Sequence, residues 1–169
     1  MDRFPTLARA ATVVAAAATA LIAVAAPATA AGPTAAQKFY ADSGDRCTYG
    51  HTEGLLTWQV LTPSIYPTVA VEGTLTDEPA RNSPVACTTD QMYSVASYVA
   101  YAGRTIVDFA QSRADNGVTA VRDVLGERNA GPAPIDRVVV QVCRFPSAPV
   151  GISYCGSPQT YTPPRIGTA

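Results

Sequence analysis

Histidine, serine and acidic side chains are the groups in this chain that could support hydrolytic chemistry. His51 is the only histidine, so any serine–histidine–aspartate relay would have to include it. The nearest approach to a nucleophile elbow is the run 151–155 (GISYC), in which a cysteine replaces the second glycine of the motif. We therefore interpret His51 as an ordinary loop residue between Gly50 and Gly54, and the sequence predicts no catalytic relay.

Acidic pairs offer little more for catalysis or for a metal ion. Asp77 and Glu78 are adjacent, and neighbouring side chains of a strand point to opposite faces. Asp42 and Asp45 lie near the start of the mature chain and are typical of solvated turns. The turn 115–117 (DNG) supplies oxygen atoms, but the spacing of a calcium-binding EF-hand is missing. We predict no catalytic residue, no metal site and no cofactor, and hence no enzyme.

Four cysteines are distributed along the chain at Cys47, Cys87, Cys143 and Cys155. A zinc site would usually bring cysteines two to four residues apart, and none are that close. An even number in a secreted domain predicts two disulfide bonds. We favour Cys143–Cys155 with Cys47–Cys87, since sequence-local closure has the lowest entropic cost. The pairing of Cys47 with Cys155 and of Cys87 with Cys143 is the main alternative.

The N-terminus has the pattern of a cleavable secretory signal. Arg3 and Arg9 precede an uncharged, alanine-rich run over 10–26, and Pro27 is followed by the small-x-small sequence 28–30 (ATA). The alternative is an uncleaved anchor, but the run is at the lower limit of a spanning helix. We predict cleavage after Ala30 or Ala31 and a secreted protein without a membrane segment.

The mature part of the chain has no surplus of basic residues. The chain has 12 basic and 13 acidic residues, and cleavage removes Arg3, Arg9 and Asp2, so the net charge becomes −2. A protein without a basic surplus is not attracted to nucleic acid or to anionic lipid. We predict that neither is a partner.

Alternation of apolar and polar residues predicts β-strands along the mature chain. In 92–102, Tyr93 and Tyr101 share one parity with two valines, which favours a strand over a helix. The Asn116-Gly117 dipeptide is a strong hairpin signal. Strands 92–102, 105–111 and 118–125 should therefore be antiparallel neighbours. The predicted strands are 54–62, 68–76, 92–102, 105–111, 118–125 and 135–144, with a loop over 77–84.

The sequence pattern indicates six or seven strands and no helix. It therefore predicts an all-β fold, an antiparallel β-sandwich that is Ig-like in architecture. The predicted organisation is a signal peptide over 1–30, a flexible leader over 31–46 and one domain over 47–169. A short strand around 38–40 is the alternative for the leader. The proline-rich tail after residue 145 should be irregular, and Cys155 would pin it.

Four segments resemble small, uncharacterised secreted proteins of actinomycete-type, high-GC Gram-positive bacteria. These segments are 98–104 (YVAYAGR), 114–117 (ADNG), 135–144 (IDRVVVQVCR) and 154–161 (YCGSPQTY). The resemblance covers most of the mature chain. It implies secretion but no activity.

Tyrosine is the residue type that most favours a binding function. The chain has eight tyrosines, and this amphipathic ring is frequent at interfaces. Tyr93 and Tyr101 should share a strand face and Tyr98 should oppose them. They are candidate contacts for an extracellular protein or glycan, or structural residues that cap the core at the edges of the sandwich, so we predict a non-enzymatic binding or structural module. The alternatives are a small-molecule carrier with an apolar cleft between the sheets, and a secreted protease inhibitor or enzyme. An inhibitor would need a rigid exposed loop beside a disulfide, for which 145–154 is the candidate.

Mass spectrometry of the secreted protein under non-reducing conditions tests this framework. We expect two disulfide bonds and an N-terminus at Ala31 or Gly32, because the signal is removed and all four thiols are oxidised outside the cell. Free thiols, or a chain that still begins at Met1, would contradict it.

Overall fold

Nine β-strands form the fold in the computed structural model, which describes residues 34–59, 68–79, 91–127 and 134–164. Within these ranges there is no helix of the length and apolarity that crossing a membrane requires. The strands are β1 (Thr34–Asp42), β2 (Gly50–Gln59), β3 (Thr68–Asp77), β4 (Met92–Ala102), β5 (Thr105–Ala114), β6 (Val118–Leu125), β7 (Arg137–Pro146), β8 (Tyr154–Cys155) and β9 (Gln159–Tyr161).

The strands form two antiparallel sheets that pack face to face, which confirms the all-β prediction. Sheet A has the order β1-β2-β3-β6, and sheet B has the order β5-β4-β7, with β8 and β9 both paired to the far edge of β7. An immunoglobulin constant domain instead pairs its strands in the orders one-two-five-four and three-six-seven. The likeness to such domains is therefore limited to the two-layer architecture.

Period-two alternation places one face of each strand in the core. In β7, Val138, Val140 and Val142 are buried while their neighbours are half-buried. In β3 the same alternation buries Val69, Val71 and Leu75. β-branched side chains fit this pleated surface well, and the two inner faces together make one hydrophobic cluster.

Tyr98 lies fully buried at the centre of this cluster. Its ring packs edge-to-face on Phe39 of sheet A, with 5.8 Å between the ring centroids. Its hydroxyl oxygen lies 2.6 Å from the Thr52 Oγ1, and Thr52 donates its own hydrogen to the carbonyl oxygen of Thr74 at 2.9 Å. Tyr98 therefore donates to Thr52, so its polar end is satisfied across the sheet interface. Burial raises the pKa of the Tyr98 phenol to about 12.

The prediction of a flexible leader over 31–46 is wrong for the part that is described. β1 pairs with β2 from Thr34 to Asp42, and it buries Phe39 and Ala41 in the core. The alternative of a short strand around 38–40 was nearer to the structure, although the strand is longer. After β1, the Asp45 carboxylate accepts hydrogen bonds from backbone N–H groups downstream and holds a tight turn into β2.

The predicted β4–β5 hairpin is confirmed, but the pairing of β5 with β6 is wrong. The Asn116-Gly117 turn carries the chain from sheet B to sheet A, where β6 pairs with β3. Asn116 has the left-handed φ of 49° that such a tight turn requires. The Gly117 carbonyl oxygen accepts from the backbone N–H of Asp77 at 2.8 Å, which fastens the turn to the end of β3.

The C-terminal tail is more regular than predicted, because β8 and β9 both pair with β7. The predicted Cys143–Cys155 disulfide is confirmed and joins directly opposed residues of β7 and β8. Cys87 lies outside the described residues. The Tyr161 hydroxyl donates to the carbonyl oxygen of Tyr40 at 2.8 Å and accepts from its N–H at 2.9 Å, so β9 also holds the free edge of β1.

The buried phenol of Tyr98 makes the fold sensitive to alkali. The phenol ionises near pH 10 in the unfolded chain and near pH 12 in the folded one. Its contribution to the free energy of unfolding is therefore complete below pH 10 and is lost as the pH rises through about 12. Denaturant unfolding from pH 8 to 12 should show this loss, and Tyr98→Phe should remove that component. Tyr101→Phe is the control and should retain it. An unchanged pH dependence in Tyr98→Phe would refute the assignment.

Candidate functional site

The outward face of sheet B carries the residues that are most available to a ligand. Odd-numbered positions of β4 point away from the core, and the register places Val99 of β4 between Phe109 of β5 and Val139 of β7. After a β-bulge between Ala100 and Tyr101, Ile106 lies opposite Tyr101. We call the five residues Val99, Tyr101, Ile106, Phe109 and Val139 the outer patch.

Two members of the outer patch are strongly exposed. The exposed fractions are 56% for Ile106 and 59% for Phe109, although both belong to a strand that pairs within the sheet. Single exposed apolar residues are common, but two large ones next to three half-buried ones form a continuous apolar surface. Sequence reasoning missed both residues, because only the bulged register of β4 with β5 places them beside Tyr101 and Val99.

The structure separates the three predicted tyrosines. Tyr93 and Tyr101 lie half-buried on the outward face of β4, as their shared parity predicted. Tyr98 points into the core and has no exposed surface, so the prediction that it contacts a ligand is wrong. The parity of the sequence showed that Tyr98 opposes the other two, but not which of the two faces is buried.

An arginine covers each outward tyrosine. The guanidinium carbon of Arg113 lies 3.6 Å from the ring centroid of Tyr93, and that of Arg137 lies 4.4 Å from the centroid of Tyr101. Tyr93 also stacks on Phe145, with 5.7 Å between the centroids. These are cation–π contacts, which hold the flexible arginine side chains flat against the sheet.

The turn between β7 and β8 is a second exposed feature of sheet B. Every residue from 147 to 153 is exposed, and Val150 and Ile152 have exposed fractions of 86% and 85%. The Cys143–Cys155 disulfide closes the base of this loop. An exposed loop beside a disulfide, two of the features that the sequence suggested at 145–154, is therefore present.

A buried ionic cluster lies where β3 meets sheet B. The Arg144 Nη2 is 3.3 Å from the Asp77 Oδ1, and both side chains are 1% exposed. Asp77 also accepts from the Ser94 hydroxyl at 2.5 Å and from the Asn116 backbone N–H at 3.0 Å. The Arg144 Nη1 donates to the Tyr154 hydroxyl at 3.2 Å. A buried, hydrogen-bonded carboxylate of this kind is structural, and Asp77 ends β3 instead of lying in the loop that the sequence predicted over 77–84.

The candidate catalytic and metal-binding groups are not brought together. His51 is part of β2 rather than of a loop, and its ring stacks on Tyr40, with 6.2 Å between the centroids on the outward face of sheet A. Ser153 lies in the β7–β8 loop of sheet B. The two oxygens of Asp115 accept hydrogen bonds from Arg113 and Asn116. Among the described residues, no group of three histidine, cysteine or acidic side chains could hold a metal ion.

Two surface depressions are formed by described residues. One, of about 240 Å³, is lined by Asp77, Glu78, Pro79 and Asn116. The other, of about 420 Å³, surrounds the facing pair Gly54 and Gly73. There a Cβ on Gly54 would lie 2.1 Å from the carbonyl oxygen of Glu72, so the close approach of β2 to β3 requires glycine.

No protein-family model, no curated protein and no solved structure matches this chain.

The buried ion pair should be one of the strongest single contributions to stability. Asp77→Asn keeps the shape of the side chain but leaves the buried Arg144 without its carboxylate, so we expect a loss of about 3 kcal/mol in the free energy of unfolding. Asp115→Asn breaks the exposed pair with Arg113 and should cost less than about 1 kcal/mol. Urea denaturation of both variants measures the difference. Equal losses of the free energy of unfolding in the two variants would show that the buried pair contributes no more to stability than the exposed pair.

Proposed function

We propose that the protein is a secreted, non-enzymatic binding module, and that it binds another protein through the outer patch. The observation that carries the proposal is the exposure of Ile106 and Phe109 side by side on the outward face of sheet B. Neither side chain contributes to the core, so the fold gains nothing from their exposure. Burial against a partner would stabilise a complex by the hydrophobic effect.

The composition of the outer patch supports a protein ligand. Its centre is aromatic and aliphatic, and Arg137 lies at its margin over Tyr101. Next to it, Gln111 donates to the Ser97 Oγ at 3.0 Å, which adds a polar border. Apolar centres with aromatic and arginine residues and a polar rim are typical of protein interfaces.

A glycan is a weaker candidate on the same surface. Sugar rings stack on flat aromatic faces, but guanidinium groups already cover Tyr93 and Tyr101. The register partner of Phe109 on β4 is Val99, a β-branched aliphatic residue that offers no second flat ring for a sugar. A small-molecule carrier would need a cleft between the sheets, where instead Phe39 and Tyr98 are in contact.

Secretion and a second disulfide are parts of this proposal. The N-terminal signal pattern and the Cys143–Cys155 disulfide both support an oxidising, extracellular location. No cysteine of the described residues is free. With Cys143 and Cys155 joined, we propose that Cys47 pairs with Cys87. That bond would close a longer loop and add roughly 4 kcal/mol in the chain-entropy model.

A photo-cross-linking amino acid placed in the secreted protein tests the outer patch. We expect that benzoylphenylalanine at Phe109 forms a discrete adduct with one protein of the secreting culture, because this side chain would be buried in the complex. Val118 is the matched control: it is also 59% exposed, but it lies on the outward face of sheet A. At that position we expect no adduct.

The outcome separates the proposed ligand from its alternatives. Equal adducts at positions 109 and 118, or none at 109, would refute binding through the outer patch. An adduct that glycosidase treatment removes would identify a glycan and refute a protein ligand. An adduct of twice the mass of the chain would identify self-association and would also contradict the proposal of a different partner.

A further inference from the structure

The β7–β8 loop, residues 147–153, exposes apolar side chains more completely than any other described part of the protein. Val150 and Ile152 are β-branched. Their exposed fractions are 86% and 85%, compared with 59% for Phe109 and 56% for Ile106 in the outer patch. The loop joins the ends of β7 and β8, and all seven of its residues are exposed. A short loop that is exposed along its whole length is better matched to a cleft in a partner than to a flat surface.

The loop is held at both ends and within its span. The backbone N–H of Ser147 donates to the carbonyl oxygen of Gln91 at 2.8 Å, beside the start of β4. The Cys143–Cys155 disulfide lies at its base. Gly151 packs against the ring of Pro146, so closely that a Cβ there would lie 2.6 Å from the Pro146 Cβ. The two strands cannot separate without breaking these contacts, and little conformational entropy would be lost when the loop binds.

Side chains beneath the loop add to this support. Phe145 stacks on Tyr93 under the guanidinium of Arg113. On the opposite strand the Tyr154 hydroxyl accepts from the buried Arg144. The residues next to the loop are therefore fixed by contacts of the folded domain.

We propose that this loop enters the substrate cleft of a secreted serine protease whose S1 pocket is shallow and apolar, with Val150 as the P1 side chain. Proteases of this class bind a short extended segment and select the residue before the scissile bond by its fit to S1. Pro149 restricts the backbone immediately before Val150, and Gly151 follows without a side chain. A small β-branched side chain fits the small pocket of elastase-type enzymes, whereas trypsin requires a positive charge.

The expected consequence is inhibition without turnover. A loop that is held by a disulfide and by contacts of the folded domain loses little conformational entropy on binding, so we expect a tight, long-lived complex, as protease–inhibitor interfaces of ordinary size form. The peptide bond between Val150 and Gly151 would stay in the cleft, because the disulfide and the Pro146–Gly151 contact keep the two sides of the loop together. This site is separate from the outer patch and does not depend on it.

Inhibition of pancreatic elastase by the full mature protein tests the proposal. We expect stoichiometric inhibition of the hydrolysis of a chromogenic peptide substrate, and we expect Val150→Asp to weaken the inhibition constant about 100-fold or more, because the charge would be buried in an apolar pocket. Phe109→Ser is the matched control in the outer patch, and it should inhibit as well as the unmodified protein.

A change of specificity provides a readout that misfolding could not imitate. Val150→Lys should lose the inhibition of elastase and should gain inhibition of trypsin, whose S1 pocket contains an aspartate. Val150 is 86% exposed, so neither replacement should disturb the fold, and circular dichroism would verify this. Absence of elastase inhibition, steady cleavage after Val150, or a Val150→Lys protein without effect on trypsin would each overturn the proposal. Loss of inhibition in Ile152→Asp with Val150→Asp unaffected would overturn the assignment of P1.

These outcomes are independent of the proposed function. Failure to inhibit elastase would leave the cross-linking result at Phe109 unchanged, since that residue lies on the face of the sheet and not in the loop. Conversely, loss of the adduct at position 109 would not alter the inhibition measured with Val150 variants.

Discussion

The ion pair of Asp77 and Arg144 joins the two sheets through charges that are almost completely removed from water. Asp77 ends β3 in sheet A, and Arg144 lies on β7 in sheet B. Such a pair stabilises a fold only when additional hydrogen bonds offset the loss of solvation. Ser94 and the backbone of Asn116 meet this requirement for the carboxylate. The guanidinium also lies over the ring of Tyr49, with 4.4 Å to its centroid.

Three segments that are distant in sequence meet at this cluster. The carboxylate of Asp77 lies at the end of β3, the backbone N–H of Asn116 lies in the turn between β5 and β6, and Arg144 lies on β7 just before the β7–β8 loop. Since the cost of leaving either charge unpaired is high, the relative position of the two sheets is restricted at this end. The centre of the sandwich is restricted differently, through the Tyr98 ring on Phe39 and its hydrogen bond to Thr52.

Both proposed binding surfaces belong to sheet B, and both depend on this rigid interior. The inner face of sheet B is occupied by valines, alanines and Tyr98, so the outward residues of the same strands are free to carry other functions. The outer patch lies on the face of the sheet, and the β7–β8 loop extends from the strand that carries Arg144. Precise placement of exposed side chains is an advantage only on a scaffold that does not move, and two-sheet packing with a local disulfide provides one.

Local pattern in the sequence by itself indicated strands β2 to β7 and the β4–β5 hairpin and favoured the Cys143–Cys155 bond, because alternation, turn residues and short loop closure act over a few residues. Arg144 occupies an even-numbered position of β7, on the same inward face as Val138, Val140 and Val142, but its burial was not predicted. Only the tertiary structure decided which face of β4 is buried, and hence that Tyr98 is core. It also decided that Asn116-Gly117 crosses between sheets and that 34–42 is a strand. The physical reason is that pairing partners distant in sequence, such as β3 with β6 and β1 with β2, leave no local signal.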